Sequence, residues 1–568
     1  MVRCGTAGQP THAKLCAAVS HVVVSNVAYA HPGGDVLFSD VSFKVGSGAH
    51  IGFVGANGVG KSTLLKILAG RLEAIEGDAD IGPFAYMPQD VGVGAERGRT
   101  VRELLLELAP PRLRSAGEKM LAAEHQLAAG EDATGAGMRL GEAIGDWSEW
   151  GGYELEGQWD ASCRRIVRAG FDEVGPRPTT ALSGGERKRL VLDVLFSSDA
   201  QVLLLDEPDN FLDVPAKLEL EARIRSSKKT VLLVSHDRDL LSAATTGILT
   251  LEGNGCWMHG GSYATYPEAR EHRQQLLGDR VEQWKREERR LFQFYKTMKQ
   301  RAAISDVLAK RADAAETRWR RFVDAGPPPP PAPEQQIVVR MPGAESARIV
   351  VGLRGIAIDG LVRAFDEEIH FGERVGLIGP NGSGKTHLMR LLAGESISHA
   401  GELRIGNRVS PGFFTQLNQR ADLEHRNVLE VVQERLGAME PSMRALARYR
   451  LQDAARRSTD TLSGGQKARL EILCLQLEGH NLLLLDEPTD NLDIDSSEAL
   501  EHALESFVGT LVAVSHDRAF LRRLDRFFLL AHDGSVFSLP DPEAALAALA
   551  DPQNVAQVRH SKLLTVGA

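Results

Sequence analysis

Short apolar runs alternate along this chain with segments of helical period. "HIGFVG" and "RVGLIG" each precede a segment whose apolar residues share one helical face, "STLLKILAG" and "THLMRLLAG". Two further runs, "VLLLDE" and "LLLLDE", have the continuous apolar character of strands that are buried on both faces. Buried strands combined with amphipathic helices predict an α/β fold.

The same set of segments occurs twice. The pairs are "GANGVGKST" at 55–63 with "GPNGSGKTH" at 379–387, "LSGGERKRL" at 182–190 with "LSGGQKARL" at 462–470, "VLLLDEPDNFLD" at 202–213 with "LLLLDEPTDNLD" at 482–493, and "VSHDR" at 234–238 with "VSHDR" at 514–518. Such internal repetition predicts two tandem domains of one fold.

The spacing of the repeats locates an insertion. Asp206 and Asp486 are 280 positions apart, whereas Lys61 and Lys385 are 324 apart, a difference of 44 residues. The first copy is therefore longer between its phosphate loop and the LSGG segment. The helical spacing of "VRELLLEL" and of the stretch after it predicts a helical arm in the region around 100–150.

Two apolar stripes at helical spacing lie between the copies, and they predict an antiparallel helical hairpin with a seam like that of a coiled coil. Prolines at 327–331 end the second helix and form a stiff spacer. We expect a first domain at 1–265, a hairpin linker at 266–335 and a second domain at 336–568. The first stripe comprises Leu277, Val281, Trp284, Leu291, Tyr295 and Met298, and the second comprises Leu308, Ala312, Ala315, Trp319 and Phe322.

The bulk composition is that of a globular protein with several domains. Its 568 residues exceed what one core holds, and 43% hydrophobic with 25% charged residues is ordinary. No apolar run reaches the length of a membrane span. Five scattered cysteines without a CxxC pair argue against a disulfide framework or a zinc site and favour the cytoplasm.

The apolar run near the N-terminus has two interpretations. Ala28, Tyr29 and Ala30 follow "VVVSNV" and resemble a signal-peptidase site. However, Ser25 and Asn26 interrupt the run, and "VLFSDVSF" follows as a second strand-like segment. An opening β-ribbon is therefore preferred.

Both GxxxxGK[ST] segments stand between a strand and a helix, which is the context that a phosphate-binding loop requires. Glycines allow backbone N–H groups to surround phosphates at the N-terminus of the helix. Lys61 and Lys385 are expected to reach the β- and γ-phosphates, and the hydroxyls of Ser62 and Thr386 to hold Mg²⁺. The expected contacts of the loops are Gly55, Asn57, Gly58, Gly60, Lys61, Ser62 and Thr63 in the first copy and Gly379, Asn381, Gly382, Gly384, Lys385 and Thr386 in the second.

Each strand that ends in Asp-Glu delivers two carboxylates to its carboxyl end. Asp206 and Asp486 are expected to coordinate Mg²⁺, directly or through water. Glu207 and Glu487 are expected to orient and polarise the attacking water, because phosphoryl transfer depends on positioning and on charge stabilisation. A pair of capping acids at a strand end is the alternative, and the phosphate loop upstream argues against it.

A histidine follows another β-rich run in each copy, "TVLLVSH" and "TLVAVSH". His236 and His516 are candidates to hydrogen-bond a γ-phosphate, and we group them with the catalytic residues. A lone histidine is more often structural, but this one recurs in register.

The order of these motifs resembles that of two ATP-binding cassettes of the ABC superfamily. Each copy has, in this order, a phosphate loop, a Gln after the next strand (Gln89 and Gln416), LSGG[EQ], Asp-Glu-Pro and Ser-His-Asp. The resemblance implies ATP and Mg²⁺ as cofactors, with both glutamines among the nucleotide and metal contacts. It also implies an ATPase whose cassettes close head to tail, so that each ATP lies between one phosphate loop and the signature of the other copy. The first site would pair 55–62, Gln89, Glu207 and His236 with Ser463, Gly464 and Gly465, and the second would pair 379–386, Gln416, Glu487 and His516 with Ser183, Gly184 and Gly185.

Two cassettes in one chain with a charged helical hairpin between them resemble the ABC-F family. "GGSYATYPEAREHR" is similar to the linker entry of that family. Members bind in the ribosomal exit site and insert the hairpin toward the peptidyl-tRNA. The resemblance therefore implies a cytoplasmic monomer whose partner is the ribosome, with its rRNA and peptidyl-tRNA.

The hairpin is basic although the chain carries a formal charge of −10. Residues 267–325 contain 15 Lys or Arg and 10 Asp or Glu, a local charge of +5. Such a segment suits contact with RNA phosphates. A solvated helix pair that bridges the domains is the alternative. The candidate RNA contacts at the turn are Lys296, Lys299, Arg301, Lys310 and Arg311.

Some positions depart from the pattern of the family. Asp209 and Phe211 lie in "DNFLD", where the family more often has "TNHLD". Tyr29, with His31 as its rival, is the candidate adenine-stacking ring of the first copy, and the second copy offers only Phe365.

Three functions follow from these patterns. The leading one is a ribosome-bound ATPase, either a general translation factor or an antibiotic-resistance ribosomal protection protein. The second is the ATP-hydrolysing subunit of a drug-efflux ABC transporter with separate membrane partners, against which the hairpin argues. DNA-repair cassette proteins come third, because zinc cysteines and a long coiled coil are absent.

Overall fold

The computed structural model describes the chain between residues 22 and 550. The described ranges are 22–91, 98–130, 133–301, 306–331, 347–414, 423, 425–462, 464–490, 492–505 and 507–550. They form two compact units, one that carries both α/β halves and one that spans His259–Gln336.

The first α/β half, which we call the first cassette, contains a main sheet, a smaller sheet and surrounding helices. Its strands are β1 (Val22–Ala30), β2 (Val36–Val45), β3 (His50–Val54), β4 (Glu76–Ile81), β5 (Phe84–Met87), β6 (Val202–Asp206), β7 (Thr230–Val234), β8 (Gly247–Leu251) and β9 (Cys256–His259), and its helices are α1 (Lys61–Leu68), α2 (Val101–Glu107), α3 (Pro111–Ala128), α4 (Ala133–Glu149), α5 (Gly152–Ile166), α6 (Phe171–Val174), α7 (Gly184–Ser197), α8 (Val214–Ser226) and α9 (Arg238–Ala244).

The main sheet has the strand order β5-β6-β7-β3-β8-β9. Strands β3, β5, β6, β7 and β8 pair in parallel, and every residue of β6 and β7 is buried. Parallel strands are covered on both faces, which explains their continuous apolar sequences. The phosphate loop after β3 and the Asp-Glu carboxylates at the end of β6 consequently lie at the same edge of the sheet.

The smaller sheet has the order β2-β1-β4 and is antiparallel. The expected opening β-ribbon is therefore confirmed. Strand β1 is interrupted by a shift in register between Val24 and Val27, where Asn26 has a φ of 52°.

Helices α2 to α6 lie between β5 and the signature of the first cassette. A capping box starts α2, since the Thr100 hydroxyl accepts from the Glu103 N–H and the Glu103 carboxylate accepts from the Thr100 N–H. Pro111 begins α3, where its missing N–H costs no hydrogen bond. Trp147 of α4 and Trp159 of α5 are buried against each other, with ring centroids 6.2 Å apart, and they join the arm to the core.

The second compact unit contains two long helices that run antiparallel. Trp284 stacks on Phe322 with ring centroids 5.4 Å apart, and Tyr295 stacks on Trp319 with ring centroids 5.8 Å apart. The later residue of the first helix thus contacts the earlier residue of the second, as antiparallel helices require. Every residue of the two predicted apolar stripes is buried or half-buried, which confirms the hairpin. The helices are α10 (Tyr266–Arg301) and α11 (Asp306–Asp324).

The second α/β half, the second cassette, repeats the first. Its main sheet has the order β14-β15-β16-β12-β17-β18 and its small sheet the order β11-β10-β13, which match the first cassette strand for strand. Its strands are β10 (Ile349–Ile358), β11 (Val362–His370), β12 (Arg374–Ile378), β13 (Ala400–Ile405), β14 (Pro411–Phe414), β15 (Leu482–Asp486), β16 (Thr510–Val514), β17 (Arg526–Leu530) and β18 (Val536–Leu539), and its helices are α12 (Lys385–Leu392), α13 (Val428–Leu436), α14 (Met439–Arg448), α15 (Gly464–Glu478), α16 (Ile494–Glu505), α17 (Arg518–Leu521) and α18 (Pro542–Ala550).

The comparison of the two cassettes identifies the insertion. Helices α2 and α13 correspond, because the residue before each forms a backbone bridge to a segment ahead of the signature, Thr100 to Pro178 and Asn427 to Ser458. Between α13 and α15 the second cassette has α14, where the first has α3, α4, α5 and the short α6. The additional helices are thus α3 and α4. The sequence prediction that "VRELLLEL" belongs to the arm is therefore wrong, because this segment forms α2, which is common to both copies.

None of the described helices combines the length and the apolar character of a membrane-spanning segment.

The cassettes contact each other through mirrored ion pairs. Arg238 of the first cassette pairs with Glu501 on α16. Arg518 of the second cassette pairs with Glu221 on α8. Each arginine and each glutamate is 280 positions from its counterpart, so the two copies exchange the same contact. Val214 of α8 also packs into the apolar core of the second cassette.

We expect Arg518→Ala to destabilise the folded protein more than Arg238→Ala does. Glu221 and Glu501 are both buried, but Glu501 also pairs with Arg523 at 3.3 Å, whereas Arg518 is the cation that pairs with Glu221 among the described residues. Loss of Arg518 leaves a buried carboxylate unpaired and should cost about 3 kcal/mol. Urea unfolding of the full chain measures the difference, and equal effects of the two substitutions would contradict the assignment.

Candidate functional site

The two phosphate loops connect β3 to α1 and β12 to α12. All the loop residues predicted from the sequence lie in these two turns or in the first turn of the helix that follows. Gly60 precedes α1 with a left-handed φ of 104°, and a Cβ at this position would lie 2.6 Å from the Phe38 ring. Glycine is therefore required here by both backbone conformation and space.

The two loop lysines fold back over their own loops. Lys61 Nζ donates to the Gly55 carbonyl at 2.7 Å, and Lys385 Nζ donates to the Gly379 carbonyl at 2.8 Å. Burial lowers the pKa of both ammonium groups, while neighbouring carboxylates oppose that shift. Each lysine is thus a buried cation that gains stability from an added anion, as phosphate binding requires.

A hydroxyl and an aspartate meet beside each loop. Ser62 Oγ donates to Asp206 Oδ1 at 2.9 Å, and Thr386 makes the corresponding hydrogen bond to Asp486. Burial raises the pKa of both aspartates, so a nearby cation would favour their charged form.

These pairs fit Mg²⁺. Asp206 Oδ2 is buried and has no hydrogen-bond partner among the described residues, which leaves an oxygen for a cation. The described part of the chain contains no cluster of three or more His, Cys, Asp or Glu side chains able to form a metal cage. Proteins bind Mg²⁺ through one or two side chains together with substrate phosphates, and a hydroxyl with a carboxylate beside each loop provides those two side chains.

The glutamates after β6 and β15 occupy strained backbone positions. Glu207 has a φ of 48° and Glu487 a φ of 49°. Glu207 Oε2 accepts from Gln89 Nε2 at 2.7 Å and from Asn210 Nδ2 at 2.6 Å, so Gln89, which we had also assigned to Mg²⁺, contacts the glutamate here. Burial raises the pKa of Glu207 to about 7 and that of Glu487 to about 8. Carboxylates with such values are suited to general-base catalysis near neutral pH.

The two histidines face the glutamates. His236 Nε2 is 3.9 Å from Glu207 Oε1, and His516 Nε2 is 3.6 Å from Glu487 Oε1 and 3.2 Å from Asn381 Oδ1. Burial lowers the pKa of both rings to about 3, so both are neutral at physiological pH. A neutral imidazole can donate one hydrogen bond to a phosphate oxygen.

A cavity of about 620 Å³ contains the second phosphate loop and residues of the first cassette. From the second cassette it is lined by Asn381, Gly382, Gly384, Lys385, Thr386, Asp486, Glu487 and His516, and from the first by the signature residues Ser183, Gly184 and Gly185. Ser183 caps α7, and the N-terminus of this helix lines the cavity at Gly184 and Gly185, where the positive end of the helix dipole favours an anion. Most of the residues predicted for the second site therefore share one cavity.

The first phosphate loop also contacts the opposite cassette. The Asn57 N–H donates to Asp493 Oδ2 at 2.8 Å. Asp213, the counterpart of Asp493, interacts electrostatically with Lys385. Neither aspartate is among the residues that the sequence motifs predict for the site, although each closes the repeated "DEPDNFLD" or "DEPTDNLD" motif, which is the signal that could have found it.

Part of the predicted set cannot be placed. Ser463 and Gln416 lie outside the described residues. Gly464 and Gly465 begin α15, the helix that follows the second signature, as Gly184 and Gly185 begin α7.

The structure corrects our preference for the adenine-stacking ring. Tyr29 is 8% exposed and packs in the core of the first cassette against Phe38, so its faces are covered. His31 is exposed and is therefore the available ring. In the second cassette Leu361 lines the cavity, while Phe365 packs against the core.

The predicted RNA contacts are solvent-exposed on the hairpin unit. Lys299 Nζ donates to the Tyr295 hydroxyl at 2.6 Å, and this hydrogen bond raises the pKa of Lys299. The other four cations reach solvent on either side of residues 302–305, which are not described. The exposed set is Lys296, Lys299, Arg301, Lys310 and Arg311.

The repeated fold and its paired phosphate loops define a protein with two ATP-binding cassettes. The family profile described as "ABC transporter" matches residues 38–210 and 362–490. The chain is 41% identical to the "Antibiotic resistance protein" of Mycobacteroides abscessus, over 92% of this chain and 100% of that protein. It is 30% identical to the "Energy-dependent translational throttle protein EttA" of Mycobacterium tuberculosis, over 88% of this chain and 89% of that protein.

Among solved structures, the fold is similar to that of RNase-L Inhibitor, with a TM-score of 0.55 and 20% identity over 93% of this chain and 92% of that chain. The chain belongs to the ABC-F family of ATP-binding cassette proteins.

Proposed function

We propose that the chain hydrolyses ATP at two composite sites, each formed by the phosphate loop of one cassette and the signature of the other. The observation that carries this proposal is the cavity that holds Lys385, Glu487 and His516 together with Ser183 and Gly184. The contact from Asn57 to Asp493 supports the equivalent arrangement at the first loop.

The side chains at each ATP site have different roles in the reaction. Lys61 and Lys385 hold phosphate oxygens, and the signature N–H groups hold the same anion from the opposite cassette. Glu207 and Glu487 accept the proton of the attacking water and orient it. His236 and His516 donate a hydrogen bond to the transferred phosphate. Mg²⁺, held by the Ser62–Asp206 and Thr386–Asp486 pairs, would neutralise phosphate charge when bound.

The proposed target of this ATPase is the ribosome. One relative is named a translational throttle protein, which concerns translation, and the basic hairpin suits contact with RNA. We propose that the ATP-bound, closed monomer occupies the exit site in the cytoplasm, that its hairpin contacts rRNA and peptidyl-tRNA, and that hydrolysis releases it.

A role in antibiotic resistance is the more specific form of this proposal. The relative named an antibiotic resistance protein is 41% identical along its whole length, compared with 30% for the throttle protein. Deletion of the gene should then lower the resistance of the host to ribosome-targeting drugs. Unchanged susceptibility together with altered polysome profiles would favour the general translation factor.

Ribosome co-sedimentation tests the target. Protein that carries Glu207→Gln and Glu487→Gln binds ATP without hydrolysing it, so with ATP it should pellet with ribosomes and without ATP it should not. Recovery in the membrane fraction, with no ribosome binding, would instead support the transporter subunit.

A further inference from the structure

Lys217 is a buried residue of the first cassette that reaches the second. It lies on α8, its Nζ donates to the main-chain carbonyl of His516 at 3.1 Å, and it pairs with Asp237 Oδ2 at 3.0 Å. It also lines the cavity that contains the second phosphate loop. A single ammonium group therefore connects helix α8 to the loop that carries His516.

The chain does not repeat this feature. Helices α8 and α16 begin at equivalent positions, 214 and 494, and the position equivalent to Lys217 is Ser497. The ion pairs of Arg238 and Arg518 occur on both sides of the interface. Lys217 thus makes a contact that only one side of the interface has, as does the ion pair of Arg522 with Asp239 at 3.0 Å.

The acidic residues around Lys217 are asymmetric too. Asp209 stands where the second cassette has Thr489, and Asp490 stands where the first has Asn210. Both aspartates line the same cavity as Lys217. Burial raises the pKa of both carboxyls, to about 6 for Asp490, and the charge of Lys217 opposes that shift in each.

We propose that Lys217 is a positioning residue for the second phosphate loop alone, and that it makes the two ATP sites chemically unequal. It acts in two ways. Its hydrogen bond fixes the backbone of His516, the residue that faces Glu487. Its charge balances Asp209 and Asp490, which would otherwise add negative charge to a cavity that must receive a polyphosphate.

The inference rests on the proposed ATP hydrolysis, and the test separates the two. In Glu207→Gln protein the remaining turnover reports the second loop, and in Glu487→Gln protein it reports the first. Into each we introduce the double change Asp209→Thr and Lys217→Ser, which copies Thr489 and Ser497 of the second cassette. Asp237, the ion-pair partner of Lys217, keeps Arg518 at 3.5 Å as a neighbouring cation, and removing Asp209 avoids leaving that second buried carboxyl without the charge of Lys217.

The double change should lower kcat/KM for ATP at the second loop by roughly tenfold or more, the range expected for loss of a charge-assisted hydrogen bond. Turnover at the first loop should change no more than Asp209→Thr alone changes it, because Asp209 lies near Glu207 and contributes to the raised pKa of that carboxyl. Ser497→Ala, at the equivalent position, should affect neither. Equal losses at both loops would show that Lys217 only holds the cassettes together and would overturn the proposal.

Equilibrium binding provides a second measurement that does not depend on turnover. Glu207→Gln/Glu487→Gln protein should bind two ATP, and adding the Asp209→Thr and Lys217→Ser changes should weaken one of the two. Two unchanged affinities would refute the role of Lys217. Failure of the parent protein to bind ATP at all would instead refute the proposed function.

Discussion

Protein that carries both Glu207→Gln and Glu487→Gln should bind ATP normally and hydrolyse it roughly 100-fold more slowly or worse. Glutamine has the size of glutamate, and its amide can keep hydrogen bonds to Gln89 and Asn210, but it cannot accept the proton of the attacking water. Each single change should lower turnover at its own loop by roughly 100-fold or more. Steady-state phosphate release and ATP binding, measured on the same preparations, check both parts.

The control is Glu440→Gln, the same substitution at an exposed residue of α14, which should leave turnover unchanged. If the double variant retained wild-type turnover, the assignment of the two glutamates as bases would be wrong. Because ATP binding persists without hydrolysis, the double variant should also remain closed. Expression in a bacterium should then arrest translation and growth.

The fold could be predicted because the same motifs occur twice in the sequence in the same order. Two phosphate loops and two Asp-Glu strands in the same order predict two copies of one sheet. In the structure each strand from β1 to β9 has its counterpart among β10 to β18 at the same place in the sheet order. The hairpin was predictable because its seam repeats at helical spacing in both helices. These features depend on local periodicity, which a single sequence displays.

Tyr29 shows where local reasoning fails. In a regular strand, alternation from Val22 and Val24 would place residue 29 on the opposite face from these valines. The irregularity at Asn26 shifts the register, so that Val27 and Tyr29 join Val22 and Val24 in the core. The ring expected at the nucleotide is thereby buried.

Contacts between the cassettes were the other part that sequence reasoning missed. Lys217 on its helix reads as an ordinary exposed cation, yet it is buried and donates to the His516 carbonyl of the second cassette. Asp493 likewise reads as the cap of α16, yet it also accepts the Asn57 N–H of the opposite loop. Such roles depend on how two copies meet, which periodicity within one copy does not encode.

Neutralising the hairpin tip should weaken ribosome binding and make it less sensitive to salt. Lys296, Lys299, Arg301, Lys310 and Arg311 are exposed, and changing all five to Gln removes up to five cation–phosphate contacts. In simpler nucleic-acid systems log K falls by roughly 0.7 to 0.9 per contact for each log unit of salt. Loss of five contacts would therefore flatten the slope by up to about four. Ribosome affinity measured from low to high salt gives this slope directly.

The matched control neutralises the same number of exposed cations on the stem of α10, namely Arg280, Lys285, Arg286, Arg289 and Arg290. It removes the same net charge, so a purely global electrostatic effect would flatten both slopes alike. Fold stability should barely change in either variant, because exposed charges contribute little. ATPase activity without ribosomes should also persist in the tip variant, since none of its five residues belongs to a nucleotide motif. If the tip variant kept its ribosome affinity at both low and high salt, the tip cations would be a solvated helix surface, and the hairpin would act on the ribosome through its shape.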